Sequence, residues 1–361
     1  MLDPRLILEI RLGPRRGKKA SLRAGETLSV GRAEPADLLV PEDTKLSPRH
    51  FELRWDGATA RLRDLGGTGG TLLDGVACTE GAVGHGGWIR AGGTDFTVHV
   101  EAHTPPRDDP EEDDEDPDED EDDREEQAAP AFPTEPLELS PQEEEDEIVR
   151  AAHRAEESRF RMARVVEQRM ARRERVLREQ AAERALPILQ AAAEASALHV
   201  ILDAARTPRI LEALREAVEE HRSLYEGTQG IALEDVAPYL VRLQGDSRLL
   251  AQLVREGWAR RWGIFLEGSV PQRELRRHLR RFLMVEDETG EPLYFRYYDP
   301  GALRDFWPSC ARRQLVDLIG PLQAFLVEGE RGEVLRLTAS GKIETSGDGA
   351  PPGRPAPKPP P

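Results

Sequence analysis

A run of like charge in the middle of the chain most constrains how it can fold. Between Asp108 and Glu147 stand 23 acidic residues and a single basic one, Arg124. Side chains of one sign at that density repel, and the apolar residues among them are too few to offset the entropy lost on folding. The run therefore cannot sit in a core, and it divides the 361-residue chain into folded parts on either side. It also explains the net charge. The chain carries −18 and the run alone −22, so everything outside the run sums to +4.

No apolar stretch reaches the roughly 18 residues that a membrane-spanning helix needs. The start, MLDPRLILEIRLGPRRG, has a short apolar stretch but no secretory cleavage pattern, and it reads as a first strand. Cys78 and Cys310 are too far apart in sequence to suggest a disulfide framework or a zinc site. The expected setting is a reducing cytoplasm, with no metal or cofactor and no membrane or nucleic-acid partner.

Five segments follow from the pattern. Residues 1–103 alternate apolar and polar in short runs between glycines (LILEIRL, ETLSVG, HFELRW, ATARLRD, TDFTVHV), which predicts an all-β sandwich. Residues 104–147 are the acidic linker, expected to be disordered. Residues 148–196 are rich in Arg and Ala and predict a helical segment. From Arg150 to Arg184 there are 11 arginines and 6 glutamates. Ala163, Val166, Met170 and Leu177 fall near one face, and Arg173 interrupts them. Residues 197–346 alternate strand-like and helix-like stretches and predict an α/β domain with a mixed sheet. In it LHVILDA reads as a buried strand, and Thr207-Pro208 as the capped start of a helix. Residues 347–361 are a Pro-rich tail with polyproline character, expected to be disordered.

In the first segment, Gly31-Arg32, Ser47-x-x-His50, Asp64 and Gly70-Thr71 occur in that order within the β pattern. A phosphate dianion is held by charge-assisted donors that converge from fixed backbone. Arg32 supplies a forked guanidinium after a strand, Ser47 a hydroxyl, and Arg49 a second cation. The Gly-rich loop LGGTGGT is no nucleotide loop, because no Lys-Ser/Thr pair and no helix follow it. The ordered set resembles the forkhead-associated (FHA) domain over about the first hundred residues. The resemblance implies an eleven-stranded sandwich that binds phosphothreonine peptides with loops at one end. It implies binding by Arg32, Ser47, Arg49, Thr68 and Gly69, with Gly31, His50 and Gly70 structural and His50 bracing the loops from inside. Three places depart from the family pattern, the first being the loop GGTGGT, which has Gly67 and then Thr68 and lacks the usual serine. Gly69 stands where an Asn usually holds the peptide backbone, which removes one or two hydrogen bonds worth about 1 kcal/mol each. Pro48 replaces a residue that can donate to the ligand.

From Leu198 to about Glu328 the stretches LDAARTPRI, SLYEG, DVAPYLVRL, LLAQLVREGW, WGIFLEG, ELRRHLRRFL and LYFRYYDP resemble the domain of unknown function 4123 family. That resemblance implies an adaptor chaperone of bacterial type VI secretion, which binds an effector and helps load it onto the spike protein VgrG without catalysis. The residues themselves point the same way. Asp203, Asp235, Asp299, His199, His221 and His278 form no HExxH, Gly-x-Ser-x-Gly or paired-ligand spacing, so no catalytic residue is assigned. Asp203 reads as a loop anchor and Cys310 as an inert thiol. Arg276, Arg277, Arg280 and Arg281 read as a solvated basic face. Tyr294 and Arg296 alternate with Phe295 and Tyr297, one set packing the sheet and the other open to a partner.

The expected molecule is a cytoplasmic type VI adaptor with two binding ends. The α/β domain takes an effector or VgrG, the sandwich takes a phosphothreonine protein or docks constitutively, and the linker keeps the two apart. The alternative from another class is a phosphorylation-dependent signalling scaffold without a secretion role.

Overall fold

The structure is a computed structural model that describes residues 3–67, 69–106, 141–286 and 290–346, with backbone alone at 141–152, 154–158 and 229. Most of the acidic linker, the Pro-rich tail and Thr68 lie outside the described residues.

Eleven strands build the N-terminal sandwich: β1 (Leu6–Leu12), β2 (Lys19–Leu22), β3 (Thr27–Gly31), β4 (Leu38–Leu39), β5 (Phe51–Trp55), β6 (Ala60–Asp64), β7 (Thr71–Leu73), β8 (Val76–Ala77), β9 (Glu80–Val83), β10 (Trp88–Ala91) and β11 (Thr94–Val100). They form one sheet in the order β2-β1-β11-β10-β7-β8 and another in the order β4-β3-β5-β6-β9. Period-2 alternation sends Leu6, Leu8 and Ile10 of β1, Phe51, Leu53 and Trp55 of β5, and Phe96 and Val98 of β11 into the core between the sheets. Phe51 and Phe96 meet edge to face there, with centroids 5.4 Å apart.

Helix α1 runs from Pro141 to Ala195 and so begins inside the stretch expected to be linker. Pro141 suits a first helical position, where its missing N–H would have no partner anyway. The last turns of α1 belong to the C-terminal core, where Ala181, Ala182, Ala185 and Leu189 are buried.

The C-terminal domain continues with β12 (Leu198–Asp203), α2 (Pro208–Arg215), β13 (His221–Ser223), α3 (Gly227–Ala232), β14 (Pro238–Leu243), α4 (Arg248–Gly257), β15 (Gly263–Glu267) and α5 (Gln272–Arg280). After these come β16 (Met284–Glu286), β17 (Pro292–Tyr294), α6 (Pro300–Phe306), α7 (Arg312–Ile319), β18 (Ala324–Glu328), β19 (Val334–Leu337) and β20 (Ile343–Ser346). Seven of the strands form one sheet in the order β13-β14-β12-β15-β18-β19-β20. The α/β class is as the sequence indicates, but the strand directions depart from a mixed sheet. Every described pairing in this sheet is antiparallel. α2 joins β12 to β13 and α4 joins β14 to β15, strands that run the same way, but in each case one strand of opposite direction lies between the two. Both faces are covered. Val200, Leu202, Val241 and Phe265 pack with α1, α2 and α4 on one side. Ile201, Leu240, Ile264 and Phe325 pack with α5, α6 and α7 on the other. This double burial is why LHVILDA is apolar at every position but His199 and Asp203, which are buried too.

The helix starts carry their own signals. Thr207 Oγ1 accepts from Arg209 N–H at 3.3 Å with Pro208 next, and Ser247 Oγ accepts from Leu250 N–H at 3.1 Å. Asp299 accepts from the N–H groups of Gly301 and Ala302 at 2.8 and 3.0 Å.

The sandwich and the α/β domain are not held apart, contrary to the tethered arrangement expected from the linker. Ile7, Glu9 and His99 lie on the outer face of β1 and β11, yet all three are buried. Lys19 Nζ donates to the carbonyls of Leu214 and Ala217, at the C-terminal end of α2, at 2.6 and 2.5 Å. Burial pulls this ammonium down to about 8, against the attraction of Glu9. Glu101 receives Arg5 at 2.7 Å and Arg248 at 3.0 Å. Arg209 Nη2 donates to Thr104 carbonyl at 2.8 Å, and Arg11 pairs with Glu234 at 3.0 Å. The period-2 pattern of β1 registers which residues face the sandwich core. It carries no mark that the opposite face is also covered.

Candidate functional site

Three loops of the sandwich meet at one end: the β3–β4 turn, the segment before β5, and the β6–β7 loop. The first two are stitched by backbone. Arg32 N–H donates to Ser47 carbonyl at 3.0 Å and Ala33 N–H to Pro48 carbonyl at 3.3 Å. Gly31 permits this approach, since a Cβ there would lie 1.9 Å from the Pro48 carbonyl oxygen. The requirement is steric: only a hydrogen fits between the chains.

His50 ties the loops together. It is fully buried. Its N–H donates to Val30 carbonyl at 2.8 Å, and its carbonyl accepts from Leu65 N–H at 2.9 Å. Nδ1 accepts from Ser47 N–H at 3.1 Å, which leaves the ring proton on Nε2, 3.1 Å from Gly70 carbonyl. The ring lies under Gly67, where an added Cβ would come within 2.7 Å of it. Asp64 Oδ1 accepts from Gly66 and Gly67 N–H at 2.6 and 3.1 Å, and Gly69 and Gly70 turn with φ of 94° and 67°. Both angles lie in the left-handed region that glycine adopts freely.

Further braces stand outside the motif. Asp43 accepts from Lys45 N–H, Gly93 N–H and Thr94 Oγ1 at 3.0, 2.8 and 2.7 Å, fixing the segment that leads to Ser47. Asp37 accepts from the N–H and hydroxyl of Ser29 at 2.8 and 2.7 Å, and these bonds, the hydroxyl first, hold its carboxyl below the usual range. The Asp43–Lys45 bond is legible as an Asx turn. The reach to Gly93 and Thr94, some fifty residues on, is not.

On this frame the cations differ. Arg32 is exposed, and its guanidinium has no partner among the described residues. Arg49 is exposed too, but stands 3.9 Å from Glu52, which Arg63 approaches at 3.5 Å. Ser47 is half-buried between Arg32 and Arg49 in the same loop pair. The structure thus gathers Gly31, Arg32, Ser47, Arg49, His50, Gly69 and Gly70 at one end; Thr68 lies outside the described residues.

A second constellation lies at the end of β12. Asp203 and Asp299 are buried carboxylates. Arg296 and Arg206 reach Asp203, the latter at 3.7 Å, while Arg206 and Arg261 reach Asp299, the latter through Nε at 3.1 Å. Glu328 accepts from Ala259 and Arg261 N–H at 2.5 and 2.9 Å, and burial pushes its carboxyl up to about 7. Asp203 does anchor its loop, through Ala205 N–H at 3.3 Å, but its ion pairs were not legible beforehand. The basic face of α5 is in use as well. Arg276 donates to Ser223 carbonyl at 2.7 Å and Arg280 to Leu224 carbonyl at 2.7 Å, and both pair with Glu226. Tyr297 is buried and donates to Leu279 carbonyl at 3.0 Å, whereas Tyr294 stays 42% exposed, as alternation suggested for one of the two sets. Cys310 is half-buried with its thiol on Phe306 carbonyl at 3.4 Å, and burial raises it. Among the described residues, no group of His, Cys, Asp and Glu is placed to hold a metal, and no helix is long and apolar enough to cross a membrane.

Comparison with known proteins agrees with this division. The N-terminal part is a sandwich of the FHA type, and the C-terminal part an α/β domain of a family named only as a domain of unknown function. Residues 198–317 match that family, described as "Domain of unknown function (DUF4123)". Residues 9–102 match a family described as "Inner membrane component of T3SS, cytoplasmic domain". The chain is 37% identical over 84 residues to the FHA domain-containing protein FhaA of Mycobacterium tuberculosis, over 23% of this chain and 16% of that protein. It is 32% identical over 95 residues to the FHA domain-containing protein At4g14490 of Arabidopsis thaliana, over 26% of this chain and 25% of that protein. The chain therefore spans a quarter or less of either relative. Among solved structures, the FhaA FHA domain complexed with the intracellular domain of Rv3910 is 35% identical, covering 26% of this chain and 99% of that one, with a TM-score of 0.24. An FHA domain solved in a study of phosphothreonine-dependent interactions is also 35% identical, covering 26% and 95%, with a TM-score of 0.25.

Proposed function

We propose that this chain is a docking adaptor of bacterial type VI secretion. Its sandwich grips a phosphothreonine segment, and its α/β domain binds an effector and helps load it onto VgrG. The observation that carries the first half is the exposed, unpartnered Arg32 guanidinium on loops fixed by His50 and Gly31. A phosphate there meets a forked donor with no carboxylate to displace, then the Ser47 hydroxyl, then Arg49 once Glu52 releases it. Gly69 lies on the rim, and glycine there gives a weaker hold on the peptide backbone than the family's usual Asn; Thr68 is assigned to the ligand from the sequence alone. The second half rests on the DUF4123 match.

Two experiments on the intact chain test the halves separately. A phosphothreonine peptide library should contain binders that lose affinity at least tenfold in Arg32→Ala and bind without phosphate no better than background. Binding that ignores Arg32 or the phosphate overturns the phosphopeptide reading and leaves constitutive docking. A pull-down from type VI-competent cells should recover VgrG or an effector; recovery of neither overturns the secretion reading. Strong phosphopeptide binding without any secretion component would favour a signalling scaffold.

A further inference from the structure

Helix α1 presents an apolar stripe that nothing described covers. Met162, Val166, Met170 and Leu177 are between 49% and 68% exposed, whereas Ala181, Ala185 and Leu189, further along the same helix, are buried in a core. Burying such side chains is the main source of helix stability in proteins, so a stripe of this size left in water marks a surface awaiting a partner.

The register says what kind. Spacings of three and four place Arg159, Ala163, Val166, Met170, Arg173 and Leu177 along one seam, the a and d positions of a heptad. Four of the six are apolar. The two arginines stand fourteen residues apart, two heptads, or about 21 Å along the axis. A second copy of this chain fits badly. In parallel register it sets Arg159 and Arg173 against themselves, and in either direction the seam over residues 159–178 offers no carboxylate. Residues 159–178 hold eight arginines and two glutamates, so two copies also repel over the whole stretch.

We propose that this face docks an acidic amphipathic helix of a partner protein. The partner's seam is apolar between two carboxylates set two heptads apart, one for Arg159 and one for Arg173. None of these residues belongs to the phosphate loops or the α/β sheet, and the face stands whether or not the sandwich binds phosphothreonine.

The test uses the intact chain and two fluorescent helical peptides of about 21 residues, with Leu at the seam and either Glu or Lys at the two positions fourteen residues apart. The Glu peptide should bind at least tenfold more tightly than the Lys peptide. Val166→Asp with Met170→Asp, at exposed sites where the fold is undisturbed, should abolish that binding. Arg159→Glu with Arg173→Glu should reverse the preference between the peptides. Equal binding of both peptides, indifference to the aspartates, or no reversal overturns the proposal. So does sedimentation showing that the intact chain self-associates and that the Val166/Met170 variant does not.

Discussion

Replacing Gly31 by Ala adds one methyl group at the point where two loops touch. The ideal Cβ would lie 1.9 Å from the Pro48 carbonyl oxygen, 2.6 Å from its carbon and 2.9 Å from Arg49 Cα. All three are backbone atoms, so no side chain can rotate away. Relief requires the segment before β5 to move by more than 1 Å, roughly the gap to ordinary van der Waals contact. That movement breaks the bonds from Arg32 N–H to Ser47 carbonyl and from Ala33 N–H to Pro48 carbonyl. Two such bonds contribute about 1 kcal/mol each, and overpacking costs about 1–3 kcal/mol more. Gly31→Ala should therefore destabilise the protein by about 3–5 kcal/mol in urea unfolding. It should also weaken any phosphopeptide that Arg32 and Ser47 hold, because both flank the displaced contact. Gly84→Ala is the control: it meets nothing within 4 Å and should be nearly neutral. If Gly31→Ala matches Gly84→Ala in unfolding midpoint and in peptide affinity, then the loops are not held by this contact and the reasoning fails.

Acid should loosen the fold through neutral buried histidines. Burial pulls His99 down to about 3 and His199 to about 4. Between those values and the unfolded value near 6.5, the unfolded chain binds more protons, so stability falls as pH falls, by about 2 kcal/mol per histidine from pH 7 to pH 5. Glu328 acts in the opposite sense, since its raised carboxyl adds stability below about 4.5 that is lost as pH rises through about 7. His199→Leu should remove about 2 kcal/mol of the pH 7 to pH 5 loss in urea titrations; a wild-type slope in that variant would refute the assignment. Lys19→Met should leave the carbonyls of Leu214 and Ala217 without their buried donor, costing about 1–3 kcal/mol. Hydrogen exchange should then quicken in both β1–β2 and the segment following α2, and unchanged protection at both places would count against the contact.

What the sequence disclosed followed the reach of each interaction. Period-2 alternation marked the sandwich strands, because a strand facing one core must alternate. Thr207-Pro208 marked a helix start, because capping is settled within three residues. The ordered motif placed Arg32, Ser47 and His50 together, because that spacing resembles a known loop arrangement. The missing parts are long-range. Asp43 reaches Gly93 and Thr94, Asp203 reaches Arg296, and Lys19 reaches α2, each across a sequence distance over which no local pattern extends. The antiparallel course of the C-terminal sheet was hidden for a related reason. Alternation of helix and strand records that a crossover exists, not which strand of opposite direction slots between the two it joins.

The seam between β1–β11 and α2 bears on how pieces of this protein will behave once separated. An excised N-terminal fragment would carry Ile7, Glu9, Lys19 and His99 into water with their neighbours gone, and would present a sticky, oddly titrating flank that the whole molecule never shows. Partners fished out with such a fragment would report on the cut. The joint also gives the whole chain a fixed gauge: whatever the phosphate-facing loops catch is held at a set offset from whatever rests on the seven-stranded sheet.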